Sequence, residues 1–451
     1  MSTKQLKKCL SQAELELLIH ACTAITRILP HVEVVGWVET KWMPSGAVWA
    51  STERQKITFV AGVKARGIPS GRALEATIRR RRESLASGVA KSTLDGREHN
   101  ICALIAEEIG DIFSGHRPLP EVALPAVTKA FDERIVARHL AAHHEVTLPV
   151  GEMLNALHTL AEQTYENKAV AFGCVVEPRV EVVNRSAFPK EFLKLKKFKA
   201  LSDGYRTAYV VSGNGAIIRF VDLDRFSLKP LTGKHFYPEW AEAMAKASRD
   251  RRFGIVLSRQ GDVLVLEEGT LRFSYRFGKW QYWNHGHLVN LIRDWARAQK
   301  IRKSILGNVV GAIYRAAIDV SFRRTGGLFV ILKNQAMLKD VVKAEDVLGG
   351  QKRSTQDAEF DLLLKRKTIQ SLPRRVMVEL AALDGALVIN KSGTILAYGA
   401  VIQPKRAGRL KGAEGSRTKA AIGASNYGMA VKISSDGDIT VYKEGQQYLT
   451  I

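Results

Sequence analysis

Cysteine is scarce in this chain of 451 residues: Cys9, Cys22, Cys102 and Cys174 lie far apart, with no Cys-x-x-Cys pair among them. That spacing excludes a zinc ribbon or disulfide framework written into the sequence, and reduced, mostly buried thiols are expected. Long apolar runs are missing as well. No stretch approaches the roughly eighteen apolar residues that span a bilayer. The opening Met1 to Lys8 is not followed by an apolar signal core, because Glu14 and Glu16 interrupt it. A cytoplasmic protein with no membrane partner is expected. Negative charge is also in short supply, with 45 Asp and Glu against 68 Lys and Arg, a formal net charge of +23. Such an excess raises the question of a nucleic-acid partner. The basic runs Arg79 to Arg82 and Lys194, Lys196, Lys197 and Lys199 come with no helix-turn-helix, aromatic RNA platform or zinc pattern, so they read as solvated faces.

What is present suits a globular chain of two to four domains, 46% hydrophobic and 25% charged. Ser11-x-x-Glu14 is a capping box, followed at helical spacing by Leu15, Leu18, Ile19, Cys22, Ile25 and Leu29 and closed by Pro30. Val32 to Val38, Lys56 to Val63 and Val170 to Val176 read as strands. Leu74 to Leu85, Ile101 to Phe113, Ala126 to His144 and Gly151 to Tyr165 read as helices. Together they make an α+β module, residues 1–190, with no catalytic pattern. His139, His143 and His144 have metal-compatible helical spacing, but no acidic partner lies within helical reach beyond Glu145, so a solvated helix face is expected.

Residues 200–287 are strand-rich, with hairpins from Tyr209 to Phe220 about Gly213-Asn214-Gly215 and from Gly254 to Leu266 about Gln260-Gly261-Asp262. The order Phe253 to Leu257, Gly261-Asp262, Glu268-Gly269 parallels Tyr427 to Val431, Gly437-Asp438, Glu444-Gly445 near the end of the chain. A middle region that is a degenerate copy of half the C-terminal sheet would share its strand order and its intervening helix. The aromatic patch Trp280, Tyr282, Trp283 reads as packing the middle region onto the C-terminal domain, with a ligand platform as the alternative. Residues 288–451 form the last domain. It opens with helices from Leu288 to Ala298 and from Ile305 to Phe322, the second carrying a buried stripe at Ile305, Val309, Ile313, Ala317 and Val320. A strand from Gly327 to Ile331 and a mobile loop from Glu345 to Thr355 follow.

From Leu383 to Ile451 the residues carry chemistry. Two hairpins turn at Lys391-Ser392-Gly393 and Ser435-Asp436-Gly437. Between them Gly415 and Ser416 lead into a small-residue helix, Arg417 to about Ser425, whose first-turn amides and positive dipole end face an incoming anion. Lys405, Arg406, Arg409, Lys411, Arg417 and Lys419 surround that entrance against Glu414 alone, a setting for a polyphosphate. Asp384, at the mouth of a strand and followed by Gly385 and Ala386, supplies a carboxylate for a divalent ion or an approaching hydroxyl.

Asp384-Gly385-Ala386, then Gly415-Ser416-Arg417-Thr418-Lys419, then Ser434 and Gly437-Asp438-Ile439 resemble the diadenylate cyclase (DAC) family, which condenses two ATP molecules into cyclic di-AMP. The resemblance covers roughly Leu288 to Ile451. It implies an α+β architecture with a C-terminal mixed sheet flanked by helices. It implies Mn²⁺ or Mg²⁺ at Asp384 and the triphosphate of ATP on Gly385, Ala386, Gly415, Ser416, Arg417, Thr418, Lys419 and Ser434, with Asp384 and Arg417 catalytic. It also implies self-association that brings two such domains face to face. The family's Gly-Thr-Arg-His-Arg motif has histidine and arginine where this chain has Thr418 and Lys419. Lysine lacks the planar fork, and threonine cannot become cationic. A domain that binds a nucleotide without turning it over, acting as a sensor, is therefore the second reading. A basic nucleic-acid-associated protein is the third.

Overall fold

Period-two alternation of Leu74, Ala76 and Ile78 with Glu75, Thr77 and Arg79 belongs to a strand, and Arg72–Arg80 is one, not the helix expected from Leu74 to Leu85. This strand, β3, lies between β1 (Val32–Lys41) and β2 (Lys56–Ala61) and is antiparallel to both. The pairing overrode the helical reading. The structure is a computed structural model that describes residues 19, 22–30, 32–41, 56–61, 72–80, 95–114, 124–182, 198, 201–226, 230–301, 303–350, 355–403 and 415–451. The Ser11 to Glu14 cap, Cys9, the lysines of 194–199 and the cationic stretch from Lys405 to Glu414 lie outside the described residues.

The described residues divide into two compact units. In the first, helices α1 (Gly96–Ser114), α2 (Leu124–His144) and α3 (Val150–Ala161) belong with a seven-stranded sheet. Its strands are β4 (Phe172–Glu177), β5 (Thr207–Ser212), β6 (Ile217–Asp222), β7 (Phe253–Leu257), β8 (Val263–Glu267), β9 (Thr270–Arg276) and β10 (Lys279–Tyr282), with helix α4 (Glu242–Ala247) between β6 and β7. The order is β10-β9-β8-β7-β4-β5-β6. β4 thus joins the strands of the middle region in one sheet. The core mixes Ile135, Leu140, Met153 and Leu157 from the helices with Phe172, Ile255, Val265 and Phe273 from the sheet. Trp280 and Tyr282 belong to that core, and Trp283 is fully buried with its Nε1–H donating to Ser274 Oγ at 2.9 Å. The aromatic patch packs within the first unit's own core, where its buried rings offer no open platform.

The second unit contains α5 (His285–Ala298), α6 (Lys303–Arg323), β11 (Gly327–Leu332), α7 (Thr355–Leu364), α8 (Arg374–Ala382), β12 (Ala386–Asn390), β13 (Ile395–Ala400), α9 (Ser416–Ser425), β14 (Gly428–Ile433), β15 (Ile439–Lys443) and β16 (Gln446–Thr450). Its six-stranded sheet runs β13-β12-β11-β14-β15-β16, mixed because β11 and β12 are parallel while every other neighbour is antiparallel. By length and composition Ile305–Arg323 passes as a membrane span, contrary to the expectation that no such run exists. Here it is a core helix packed on α5, α8 and the sheet. Its Asp319 carboxylate accepts from Arg374 Nε (2.6 Å) and Nη2 (2.9 Å) and from the Glu239 amide (2.8 Å). α9 covers the other face over Leu328, Val330, Val388 and Ala430. The described part of the loop expected to be mobile is tied to β13: Leu348 N donates to Leu396 O, Val401 N to Asp346 Oδ2, and Val347 bridges Ala397.

The two sheets repeat one plan. A central strand (β4 or β11) has a parallel neighbour (β5 or β12) that turns into a hairpin, and the chain then crosses through a helix to an antiparallel strand on the other side. The details repeat as well. Both hairpins shift register at the same place, Val210/Val211 and Val388/Ile389, and the second has a further shift at Ala386/Val388. Ser258 and Ser434 each accept, through Oγ, the amide four residues on, at 3.1 Å in both. Ser248 and Ser425, one just after α4 and the other the last residue of α9, each donate Oγ–H to the carbonyl three residues back and accept the amide of Gly269 or Gly445. The strand order and intervening helix required of a degenerate copy are both present. The register corrects the alignment by two residues: Leu257 pairs Val263 as Ile433 pairs Ile439, so Phe253 matches Met429, not Tyr427. On the same correspondence Arg206 stands where the second sheet has Asp384, so the first copy lacks that carboxylate.

Candidate functional site

Parallel β11 and β12 begin at the same end of the second sheet, and antiparallel β14 ends there. This geometry gathers the sequence-predicted residues. Asp384 sits between α8 and β12, and Arg417 lies in the first turn of α9. Arg417 Nη2 is 3.6 Å from Asp384 Oδ1, although the two are 33 positions apart in the chain. Asp384 is fully exposed and Arg417 is about one-third exposed, so the pair faces solvent and a ligand can separate it.

Two glycines shape the floor. Gly385 has φ +101°, and a Cβ there would lie 2.5 Å from the Gly399 carbonyl carbon, so β13 closes on the backbone beside Asp384. Gly326 has φ +72°, and a Cβ there would lie 2.6 Å from Arg417 Nη1 and 3.3 Å from Ile433 O. The guanidinium therefore rests on bare backbone at the start of β11, beside the end of β14. Among the described residues, Arg417 Nε is buried without a hydrogen-bond partner, a donor available to a bound acceptor.

Ser416, Thr418 and Lys419 share the first turn of α9 with Arg417. Gly415 is the N-cap and provides no side-chain cap, and among the described residues a Cβ there would meet nothing within 4 Å, so the first-turn amides are left for an anion to accept from. Ser416 and Lys419 are exposed, and Thr418 is half-buried. Ser434 follows Ile433 and accepts the Asp438 amide, which leaves its hydroxyl proton to donate. Ala386 is buried in β12, where it fixes the strand.

Two contributors escaped the sequence reading. Lys432 Nζ donates to Thr418 Oγ1 at 3.0 Å, placing a cation where the motif itself has none. Its signal was the alternation Ala430, Lys432 on the strand face that α9 covers. Gly326 was legible only as half of a Gly-Gly pair before a strand. Its role depends on which side chain lands above it.

The donor set suits a magnesium-class ion brought in with phosphate. Such ions keep several waters and use one or two carboxylates plus phosphate oxygens, and Asp384 is an exposed carboxylate beside cationic donors. Residues 314–447 match the family described as "DAC: DisA bacterial checkpoint controller nucleotide-binding". The C-terminal segment is a DAC domain. The chain is also similar to a crystal structure of DacA from Staphylococcus aureus, at 19% identity over 31% of this chain and 83% of that one, with a TM-score of 0.22. It is similar to a hypothetical membrane spanning protein from Bacillus cereus, at 16% identity over 37% of this chain and 87% of that one, with a TM-score of 0.23. No curated protein matches it.

Proposed function

We propose that the DAC domain binds ATP with Mn²⁺ or Mg²⁺ and condenses two ATP molecules into cyclic di-AMP and two pyrophosphates, under control of the N-terminal unit. The observation that carries this reading is the meeting of Asp384 and Arg417 at 3.6 Å at one end of the sheet. Asp384 would hold the metal ion, which when bound makes the 3′-hydroxyl easier to deprotonate and screens phosphate charge. Arg417, with an unpartnered Nε and two terminal nitrogens, clamps phosphate oxygens. The Ser416 hydroxyl and the first amides of α9 cradle the triphosphate, Lys419 adds charge, and Ser434 donates from the adjoining turn. Each 3′-oxygen forms a bond to the α-phosphorus of the other nucleotide, loses its proton, and expels pyrophosphate. One domain holds one ATP, so two copies must face each other, and the rate should rise with the square of protein concentration while the pair is dilute. The chemistry is positioning and electrostatic stabilisation.

Lys432 bears on the Thr418 departure. Its ammonium at Thr418 Oγ1 restores a positive charge that the threonine lacks, which favours turnover over mere binding. The second reading, a nucleotide-binding domain without turnover, rests on Lys419 in place of an arginine fork. The test is incubation of the full chain with ATP and Mn²⁺ and detection of cyclic di-AMP by mass spectrometry. Product that disappears in Asp384→Ala and Arg417→Ala supports the first reading. ATP binding without product at high protein concentration leaves the second.

A further inference from the structure

Three histidines and a glutamate converge in the first unit, none of them a residue the DAC reading uses. α2 ends with His143 and His144, and Glu145 turns the chain at φ +56°, with the Val146 amide reaching back to Ala141 O. The acidic partner that helical reach did not supply comes from the sheet: Glu267, the last residue of β8, has a fully buried side chain. One donor atom each from His143, His144 and Glu267 lies within 4.8 Å of the others. His144 Nε2 is 2.7 Å from Glu267 Oε1, and His139 Nε2 is 3.8 Å from Glu267 Oε2. The expected solvated helix face is therefore mostly covered, with His139 buried and only His143 exposed.

Packing alone leaves this cluster incomplete. Among the described residues, Glu267 Oε2 and His139 Nε2 are buried and make no hydrogen bond, facing each other only at 3.8 Å. A carboxylate out of water needs compensation on both oxygens. Arg97 and Arg272 act on it through charge, but their direct contacts are with the next residue, Glu268, at 3.0 and 3.7 Å. The rings are held in place: His144 lies 4.6 Å from Phe253 and His139 lies 5.1 Å from Phe273, centroid to centroid, and the His143 and His144 rings stand at 84° to each other. Two imidazoles and one carboxylate, with one side open to solvent at His143, is the donor set of a zinc-class ion that keeps a fourth position free.

We propose that His143, His144 and Glu267 bind a zinc-class divalent ion in the first unit, with His139 orienting the second oxygen of Glu267. Tetrahedral zinc at about 2.0–2.1 Å from each ligand needs donor atoms roughly 3.3 Å apart, so binding widens the 2.7 Å His144–Glu267 pair and draws in the exposed His143 by rotamer adjustment. The matching position in the second sheet, one strand residue before Glu444, is Lys443, so this site is not part of the repeated plan.

The test uses the full chain stripped with chelator and titrated with Zn²⁺ by calorimetry and with Co²⁺ by visible absorption. One equivalent should bind, Co²⁺ should give a tetrahedral d–d band, and Zn²⁺ should raise Tm in proportion to the logarithm of its concentration. His143→Ala, at an exposed position that folding does not need, should lose the equivalent and the Tm rise, and Glu267→Gln should do the same. Asp384→Ala should keep both, which separates this site from the DAC domain. A wild-type chain that takes up no equivalent, or a His143→Ala chain that keeps it unchanged, overturns the proposal.

Discussion

Gly326→Ala separates the role of Arg417 from the integrity of the fold. The new methyl would sit 2.6 Å from Arg417 Nη1, the far end of a flexible side chain, so the guanidinium gives way, while Ile433 O at 3.3 Å needs only a slight shift. At φ +72° alanine also costs about 1–2 kcal/mol relative to glycine, through the left-handed backbone. Folding should lose roughly that amount, a shift of a few degrees in Tm. Nucleotide binding should lose more. A charge-assisted hydrogen bond contributes about 1.5–3 kcal/mol, which is roughly 10- to 150-fold in Kd for ATP. Calorimetric titration with ATP and Mn²⁺, beside thermal melts of both proteins, measures the two effects independently. Unchanged ATP affinity in a variant that shows the expected Tm loss would refute the assignment of Arg417 as a phosphate clamp. A variant that binds no better than Arg417→Ala would support it.

Other expectations follow from the same structure. Arg374→Ala leaves Asp319 buried without its guanidinium and should lower the stability of the C-terminal unit by about 3–5 kcal/mol, read as a urea midpoint. A loss below about 1 kcal/mol would mean that water replaces the fork. Ser425→Ala strips the Gly445 amide of its acceptor and should cost about 1–3 kcal/mol, with Ser248→Ala matching it in the first unit. Unequal losses beyond that range would argue that the repeated turns bear different loads. Burial raises the thiol pKa values of Cys102 and Cys174, the former also through nearby Glu98. The sign follows: above the unfolded value near 8.5 only the unfolded chain ionises, so stability present below that pH falls as pH rises, by up to about 1.4 kcal/mol per pH unit per thiol. A Cys102→Ala/Cys174→Ala chain should show a shallower loss of Tm between pH 9 and 10.5, and parallel curves would contradict this.

Local signals specified much of this molecule. Gly393 and Gly437 turned their hairpins as turn chemistry requires, the stripe through Val309, Ile313, Ala317 and Val320 packed as a core, and small residues after Ser416 made α9. These features depend on neighbours within a few positions, which a sequence displays directly. The helical reading of Leu74 to Leu85 passed over the alternation at 74, 76 and 78, which β1 and β2 turn into a strand by pairing with it. The approach of Asp384 to Arg417 was legible as motif order, but the distance required β11 to lie between β12 and β14. Lys432, Gly326 and Glu267 could not be read in advance for a single reason: each acquires its role from a side chain 14 or more positions away, and only the packed sheet decides which atoms meet.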